Sequence, residues 1–221
     1  MGKRRISICL LVLLLLVGIA GTSFALPEMQ VSYLDVGQAE STLLQGPDFT
    51  ILIDAGDRSR AGVTDVAQHV AGLGVETIDL FIITHPHADH IGQARTILER
   101  FSVQEVWMSG YEHTTHIFED LLDAIIELDV DYWEPRSGES FSFGALELQV
   151  LNPAEIGSNL HATNIVIRAV YGELALLFTG DAEHRTERDI VASGLPVTAQ
   201  ILQLGHHGSR TSSSLEFLLA V

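Results

Sequence analysis

The spacing of apolar residues divides the chain beyond residue 28 into short strands, followed by helices and strands in alternation. Three strands are predicted first, at Met29–Leu34, Ser41–Leu44 and Phe49–Ile53, with turn residues between them. The continuous apolar run Ile78–Thr84 is bounded by polar residues, as is typical of a strand buried on both faces.

The rest of the chain continues this alternation. Apolar positions at helical spacing predict helices at Val63–Leu73, Ile91–Phe101, His116–Leu128, Glu183–Ser193 and Ser212–Leu219. Further strands are predicted at Val103–Met108, in a hairpin over Phe141–Leu151 that turns at Gly144–Ala145, in the pair Thr163–Ala169 and Leu174–Thr179, and at Ala199–Leu204. This order implies an α/β domain in which two sheets are sandwiched between helices.

The N-terminus has the pattern of an export signal. Residues 3–5 are basic, residues 6–20 are apolar and uncharged, and a small-residue cleavage context ends at Ala25. The apolar run also approaches the roughly 20 residues that span a bilayer, so an uncleaved membrane anchor stays open. We therefore expect residues 1–25 to be a signal peptide or anchor and residues 26–221 to be one extracytoplasmic domain, secreted or anchored at the membrane.

Composition narrows the partners and the metal chemistry. With 47% hydrophobic and 19% charged residues, the chain is globular. Without its first 25 residues it keeps nine arginines and no lysine against 29 acidic residues, a formal charge of −20. This charge repels polyanions, so tight binding of duplex DNA is not expected. Because the only cysteine, Cys9, lies in the export segment, any metal in the domain must be held by histidines and carboxylates.

The strongest chemical signal is the sequence THPHADH, directly after the predicted buried strand. Its His85, His87, Asp89 and His90 place three imidazoles and a carboxylate within six residues. Imidazole and carboxylate groups are suitable ligands for Zn, Mn or Fe. Four such groups are more than one ion binds from so short a loop, so one or two transition-metal ions are predicted. Four other histidines have no such neighbours and are interpreted as ordinary surface residues: His69, His113, His116 and His184.

A histidine motif of this form after a strand is the hallmark of the metallo-β-lactamase superfamily, which the chain resembles. Within the superfamily it is most similar to the hydrolase domain of ComEC/Rec2-like competence proteins. The stretches that carry the likeness are LDVGQ at 34–38, IDAG at 53–56, residues 84–92, YG at 171–172 with FTGDAE at 178–183, and LGHHGS at 204–209 with TSSS at 211–214. The resemblance implies a four-layer αββα sandwich that acts as a metal-dependent hydrolase.

The resemblance also implies a set of ligands for two divalent ions, Zn or Mn. His85 and His87 would bind one ion, Asp89 and His90 would bind the other, and Asp181 in the sequence TGD would bridge both. For Asp181 the alternative is a helix-capping aspartate, since aspartate favours helix starts.

Further roles follow from the same likeness. Asp54 would orient the histidine loop without binding metal. Of the adjacent His206 and His207, which we expect to point apart, His206 would complete the second site and His207 would contact substrate or donate a proton. Many superfamily members carry a further histidine ligand before the bridging aspartate, whereas competence-type domains often have Asn or Ser there. His161 either restores this ligand or is an exposed loop residue.

These expectations predict an exported phosphodiesterase or nuclease that acts through a metal-bound hydroxide. Asp89, Asp181 and His207 would be catalytic, and Ser209 and Arg210 would bind the phosphate. The sequence contains no serine elbow, phosphate-cradling glycine loop or catalytic cysteine. The substrate would be a phosphate ester or another small ester, with single-stranded DNA as one candidate.

Two alternatives stay open. The same metals could serve a lactonase, thioesterase or β-lactam hydrolase. The chain could also be a catalytically weak binding module. The sequence stops at Val221, before the Gly-His-Pro segment expected of competence-type domains, so the last C-terminal unit of the fold could be missing. A second departure from the pattern is Ala39–Glu40, which stands where Gly-Asp is usual.

Overall fold

The computed structural model describes residues 28–59, 62–157 and 159–221. The signal peptide or anchor predicted at residues 1–25 lies outside the described residues. Within the described ranges, no helix combines the length and the apolar character that crossing a membrane requires.

The first sheet contains six strands in the order in which they occur along the chain. Strands β1 to β3 pair antiparallel, whereas β3 to β6 are parallel. The strands are β1 Gln30–Tyr33, β2 Thr42–Gln45, β3 Thr50–Ile53, β4 Thr77–Ile82, β5 Ser102–Trp107 and β6 Asp131–Trp133.

The second sheet contains five strands in the order β11-β10-β9-β8-β7. Its strands pair antiparallel except for β10 and β11, which are parallel. They are β7 Ser140–Phe143, β8 Leu146–Asn152, β9 Val166–Tyr171, β10 Leu174–Phe178 and β11 Ile201–Leu202.

Helices cover the outer faces of both sheets. They are α1 Val66–Gly72, α2 Ala88–Ile91, α3 Ala94–Arg100, α4 His116–Glu127, α5 His184–Ser193 and α6 Leu215–Ala220. One apolar cluster packs the first sheet against α1 to α4, a second fills the space between the sheets, and a third packs the second sheet against α5 and α6. The predicted four-layer αββα sandwich is confirmed.

Three local predictions differ from the structure. The helix predicted at Ile91–Phe101 begins only at Ala94, and a separate short helix, α2, precedes it and ends at Ile91. Between the two helices, at Gly92, an added Cβ would lie 2.1 Å from the carbonyl carbon of Asp57. This tight packing against the loop after β3 sets the position of the histidine motif. Only two residues of the strand predicted at Ala199–Leu204 pair, and the exposed edge strand β6 was not predicted.

The topology brings the candidate ligands to one end of the sandwich. Asp54 and the histidine motif follow the parallel strands β3 and β4, so their side chains emerge at the same edge of the first sheet. Asp181 and the His206–His207 pair follow β10 and β11, which are also parallel to each other.

Candidate metal centre

Asp54 fixes the histidine loop from beneath. Its side chain is buried, and its carboxylate accepts hydrogen bonds from the Thr84 amide (2.8 Å), the Thr84 hydroxyl (2.7 Å) and His90 Nδ1 (2.7 Å). The residue occupies left-handed backbone at φ 58°, a region that aspartate tolerates better than most residues. Because Nδ1 of His90 is engaged, its Nε2 is left to face the centre of the site.

Four side chains surround a space next to His90, and we call them the second cluster: Asp89, His90, His207 and Asp181. His207 Nε2 lies 3.2 Å from Asp89 Oδ2 and 3.5 Å from Asp181 Oδ1. His90 Nε2 lies 3.4 Å from the same Asp181 oxygen and 4.0 Å from Asp89 Oδ2. Ligands about 2.1 Å from a tetrahedral ion are roughly 3.4 Å apart, so these separations fit zinc-like coordination.

The same atoms lack ordinary partners. His90 Nε2, His207 Nε2 and Asp181 Oδ1 are buried, and none has a well-aligned hydrogen bond from the part of the chain that the structure describes. Leaving buried polar atoms unpaired costs about 1–3 kcal/mol each. A cation would satisfy all three atoms at once, so the residues present fit a divalent metal.

The first cluster lies on the other side of Asp181 and consists of His85, His87, His161, His206 and Asp181 itself. His85 Nε2 is 3.4 Å from Asp181 Oδ2 and 3.0 Å from His87 Nδ1. The ring of His161 lies 5.2 Å from that of His87 and 5.8 Å from that of His85, and its buried Nδ1 has no hydrogen-bond partner among the described residues. The two oxygens of Asp181 therefore face two different clusters.

His206 and His207 do not point apart as expected, because both reach Asp181. Their Nε2 atoms lie 3.6 Å and 3.5 Å from its two oxygens. Two consecutive left-handed residues, with φ of 50° and 53°, curl the chain so that both rings turn toward the cluster. The structure places His207, rather than His206, beside Asp89 and His90. His206 stacks on His161, and its Nδ1 lies 3.4 Å from the Glu183 carboxylate.

Burial and charge set the protonation of these groups in the absence of metal. Burial lowers the pKa of His85 to about 3, which keeps this imidazole neutral and able to bind a cation. Burial also acts to lower the pKa of His90, but the carboxylates of Asp54 and Asp181 outweigh it and raise that pKa to about 10. The neighbouring imidazoles overcome the effect of burial on Asp89 and lower its pKa to about 2.

Asn164 holds Asp181 in place, a role that the sequence interpretation missed. Its buried side chain accepts a hydrogen bond from the Asp181 amide (3.1 Å) and donates one to the Thr179 carbonyl (2.7 Å). Gly180, at φ 47°, passes so close that an added Cβ would lie 2.3 Å from the Asn164 Oδ1 atom. The sequence signal for this role is the polar segment 159–164, which ends at Asn164.

The remaining candidates lie at the rim or away from the site. The Ser209 hydroxyl is 3.1 Å from that of Thr211, which in turn is 3.4 Å from His206 Nδ1. Arg210 is exposed. Among the histidines interpreted as surface residues, His69 and His116 are exposed, His184 approaches the Ser212 carbonyl at 3.2 Å, and the ring of His113 lies 6.3 Å from that of His87.

The sequence is similar to that of a known protein family over most of its length. The family model described as "Metallo-beta-lactamase superfamily" matches residues 34–221. The chain is 32% identical to Recombination protein 2 of Haemophilus influenzae, over 88% of this chain and 23% of that protein. It is 26% identical to ComE operon protein 3 of Bacillus subtilis, over 86% of this chain and 27% of that protein. The chain thus spans about a quarter of the length of these relatives.

Solved structures share the fold. The chain is similar to MEM-A1, a subclass B3 metallo-beta-lactamase from a soil metagenome library, with a TM-score of 0.55 and 18% identity over 83% of this chain and 78% of that one. It is also similar to the metallo-beta-lactamase fold protein YhfI from Bacillus subtilis, with a TM-score of 0.53 and 15% identity over 71% of this chain and 63% of that one. At these identities the likeness concerns the fold alone.

Proposed function

This chain belongs to the metallo-β-lactamase superfamily, and we propose that within it the protein is a phosphodiesterase that uses two divalent ions. The superfamily fold is that of metal-dependent hydrolases. The observation that carries the proposal is the sharing of Asp181 between two clusters, each of which offers histidine and carboxylate atoms at the spacing of metal ligands.

Each ion would have its own set of ligands. Histidine and carboxylate ligands suit Zn or Mn. When bound, a pair of such ions supplies an acidified water as the nucleophile and positive charge for the phosphoryl oxygens. The proposed ligands are His85, His87 and His161 for the first ion, Asp89, His90 and His207 for the second, and Asp181 for both.

The protein groups around these ligands orient the substrate and the leaving group. His206 presents Nε2 to the space in front of Asp181, while Glu183 lies at its Nδ1. His206 also lies within metal-ligand reach of His161 and Asp181. We assign it to the leaving oxygen, because His85, His87 and His161 supply the imidazoles for the first ion and His207 supplies one for the second. Ser209 and Arg210 follow directly on the chain and are assigned to the non-reacting phosphate oxygens.

A phosphodiester is favoured over a carbon ester by two considerations. Paired ions that share one carboxylate stabilise both the attacking and the leaving oxygens of an in-line displacement at phosphorus. The similar proteins from Haemophilus influenzae and Bacillus subtilis are named for recombination and for a competence operon. The chain carries a formal charge of −17, so a small or single-stranded phosphate ester suits it better than a duplex.

The test compares substrate classes on the metal-loaded protein. We expect Mn²⁺- or Zn²⁺-dependent turnover of bis(p-nitrophenyl) phosphate that is abolished in His87→Ala and Asp89→Ala. The variant His116→Ala, an exposed histidine at the start of α4, serves as the matched control and should retain turnover. Hydrolysis of nitrocefin or an acyl-lactone without turnover of the phosphodiester would overturn the proposal.

We also propose that the domain functions outside the cytoplasm, on the basis of its N-terminal sequence pattern. N-terminal sequencing of protein recovered from the cell exterior should begin at Leu26 if the segment is cleaved as a signal peptide. Recovery only from the cytoplasm would contradict export.

A further inference from the structure

A buried carboxylate outside the metal clusters holds the loop that carries the two adjacent histidines. We call residues 205–214 the histidine-pair loop. Glu187 lies on α5, and only 1% of its surface is exposed. Its two carboxylate oxygens accept hydrogen bonds from the main-chain amides of Ser213 and Ser214, the latter at 2.9 Å. Because a buried carboxylate is costly unless it is hydrogen-bonded, these contacts fasten the end of the loop to α5.

A second residue of α5 holds the same part of the loop. The His184 amide donates a hydrogen bond to the Thr211 carbonyl at 2.9 Å, and the His184 Nε2 atom lies 3.2 Å from the Ser212 carbonyl. The segment 211–214 has the sequence TSSS, which is part of the family resemblance, and none of its residues is a proposed ligand. The helix that holds this segment begins three residues after Asp181, which links the loop to the bridging aspartate.

A series of main-chain hydrogen bonds connects the fastened end of the loop to the histidines. The Ser212 amide donates to the Ser209 carbonyl at 3.1 Å, and the Ser209 amide donates to the His206 carbonyl at 2.9 Å. The His206 amide in turn donates to the Gly180 carbonyl at 2.9 Å. The histidine-pair loop is therefore fixed at both ends, beside the bridging aspartate and on α5.

The loop depends on these contacts because its backbone is intrinsically unfavourable. His206, His207 and Ser213 have φ values of 50°, 53° and 57°. Left-handed backbone at residues other than glycine costs free energy and persists only where surrounding contacts enforce it. One of the three strained residues, Ser213, donates its amide directly to Glu187. Loss of this contact therefore allows the loop to leave the conformation that directs both rings toward the metal clusters.

We propose that Glu187 is a positioning residue for the second metal cluster, because it holds the histidine-pair loop in the shape that turns His207 toward that cluster. Glu187 acts through the main chain, whereas Asp54 hydrogen-bonds to the ring of a ligand. The inference rests on the proposed two-ion site, but the effect of Glu187 on the loop can be measured without metal. A carboxylate that supported only the start of α6 would leave the histidines undisturbed when it is replaced.

The first test is amide hydrogen exchange, followed by NMR, in the metal-free full chain. Glu187→Gln keeps the size of the side chain but offers one oxygen acceptor in place of two. Exchange at the His206 and Ser209 amides, whose acceptors are main-chain carbonyls, should accelerate about 10- to 150-fold, as expected for lost hydrogen bonds to a charged group. Thr186→Val is the matched control and should leave these amides unchanged, because Thr186 is the buried neighbour of Glu187 and its hydroxyl donates to the His161 carbonyl at 3.3 Å.

The pattern of exchange decides between the two roles of the carboxylate. Acceleration confined to the Ser213 and Ser214 amides would overturn the proposal, because Glu187 would then support only the start of α6. His184→Ala is a milder variant for the case that Glu187→Gln does not fold, since it removes one contact to the same segment. It should accelerate the same two distant amides to a smaller degree, and unchanged exchange there would also overturn the proposal.

The second test measures Zn²⁺ affinity by competition with a chromogenic chelator. Glu187→Gln should bind one equivalent about 10-fold more weakly, the lower end of the effect of groups that orient metal ligands, and the other within twofold of the wild type. In the His207→Ala background, Glu187→Gln should have no further effect, because the residue through which it acts is gone. Unchanged affinity in Glu187→Gln, or an equal further loss in that background, would overturn the proposal. A wild-type chain that binds no metal would instead refute the proposed function, while accelerated exchange at His206 would still support the hold of Glu187 on the loop.

Discussion

Replacing Asp54 with asparagine should weaken the second metal cluster without distorting the backbone. Asparagine tolerates the left-handed φ of 58° as aspartate does. It cannot, however, accept all three hydrogen bonds that Asp54 receives at 2.7–2.8 Å. If its oxygen keeps the Thr84 amide, its NH2 group faces His90 Nδ1 and forces that nitrogen to become the acceptor. The proton then moves to His90 Nε2, the atom that faces the metal cluster.

The magnitude follows from this change of tautomer. Loss of a partner that orients a metal ligand costs about 10- to 100-fold in metal affinity. This corresponds to about 1.4–2.8 kcal/mol. The metal-free protein should also lose about 1.5–3 kcal/mol of unfolding free energy, because hydrogen bonds to a buried charged group are broken.

Competition titration against a chromogenic chelator measures the affinity, and urea denaturation measures the stability. Asp79→Asn is the matched control, because Asp79 on β4 accepts a hydrogen bond from the Thr50 amide at 2.7 Å and lies outside both metal clusters. It should leave metal affinity unchanged. If Asp54→Asn binds both ions within twofold of the wild type, the reasoning about His90 is refuted.

Three further predictions concern other parts of the site. His207→Ala should lose one equivalent of metal, whereas His206→Ala should keep both equivalents and lower kcat, as metal analysis with steady-state kinetics would show. The metal-free protein should be most stable near pH 6.5 in urea denaturation. His85 (folded pKa about 3) gains a proton on unfolding below 6.5, and His90 (folded pKa about 10) loses one on unfolding above 6.5, so stability falls on both sides. Gly92→Ala should cost at least about 1–3 kcal/mol by overpacking, measured by thermal unfolding.

The controls for these predictions use the same chain. His90→Gln should reduce the alkaline decline in stability to the part contributed by His207, whose pKa is also raised by its hydrogen bond with Asp89, and should leave the acid decline. An alkaline decline as large as that of the wild type would contradict the assignment to His90. Gly72→Ala, where an added Cβ meets no atom within 4 Å, should keep the stability or raise it by up to about 1 kcal/mol, because alanine is favoured over glycine in a helix. Loss of metal from His206→Ala would show that His206 is a metal ligand and would contradict its assignment to the leaving oxygen.

Sequence patterning predicted the elements whose structure depends mainly on residues close together in the chain. The apolar run before Thr84 is long enough to form a strand and can bury its side chains only within the domain. The histidine motif after it is visible in the sequence alone. The edge strand β6 gave no comparable signal, because it is three residues long and exposed on both faces.

The orientation of His206 and His207 could not be predicted from local pattern. Extended backbone would send adjacent side chains in opposite directions, and left-handed φ values in two consecutive histidines are uncommon. Tertiary packing, rather than spacing, therefore decides which histidine joins which cluster.

The most direct test of the two-ion hydrolase is a calorimetric titration of metal-free protein with Zn²⁺ or Mn²⁺, with phosphodiester turnover measured at each point. We predict two bound equivalents and turnover that rises as the second equivalent is added. Binding of no metal, or two bound equivalents without phosphodiester turnover at any concentration, would contradict the account.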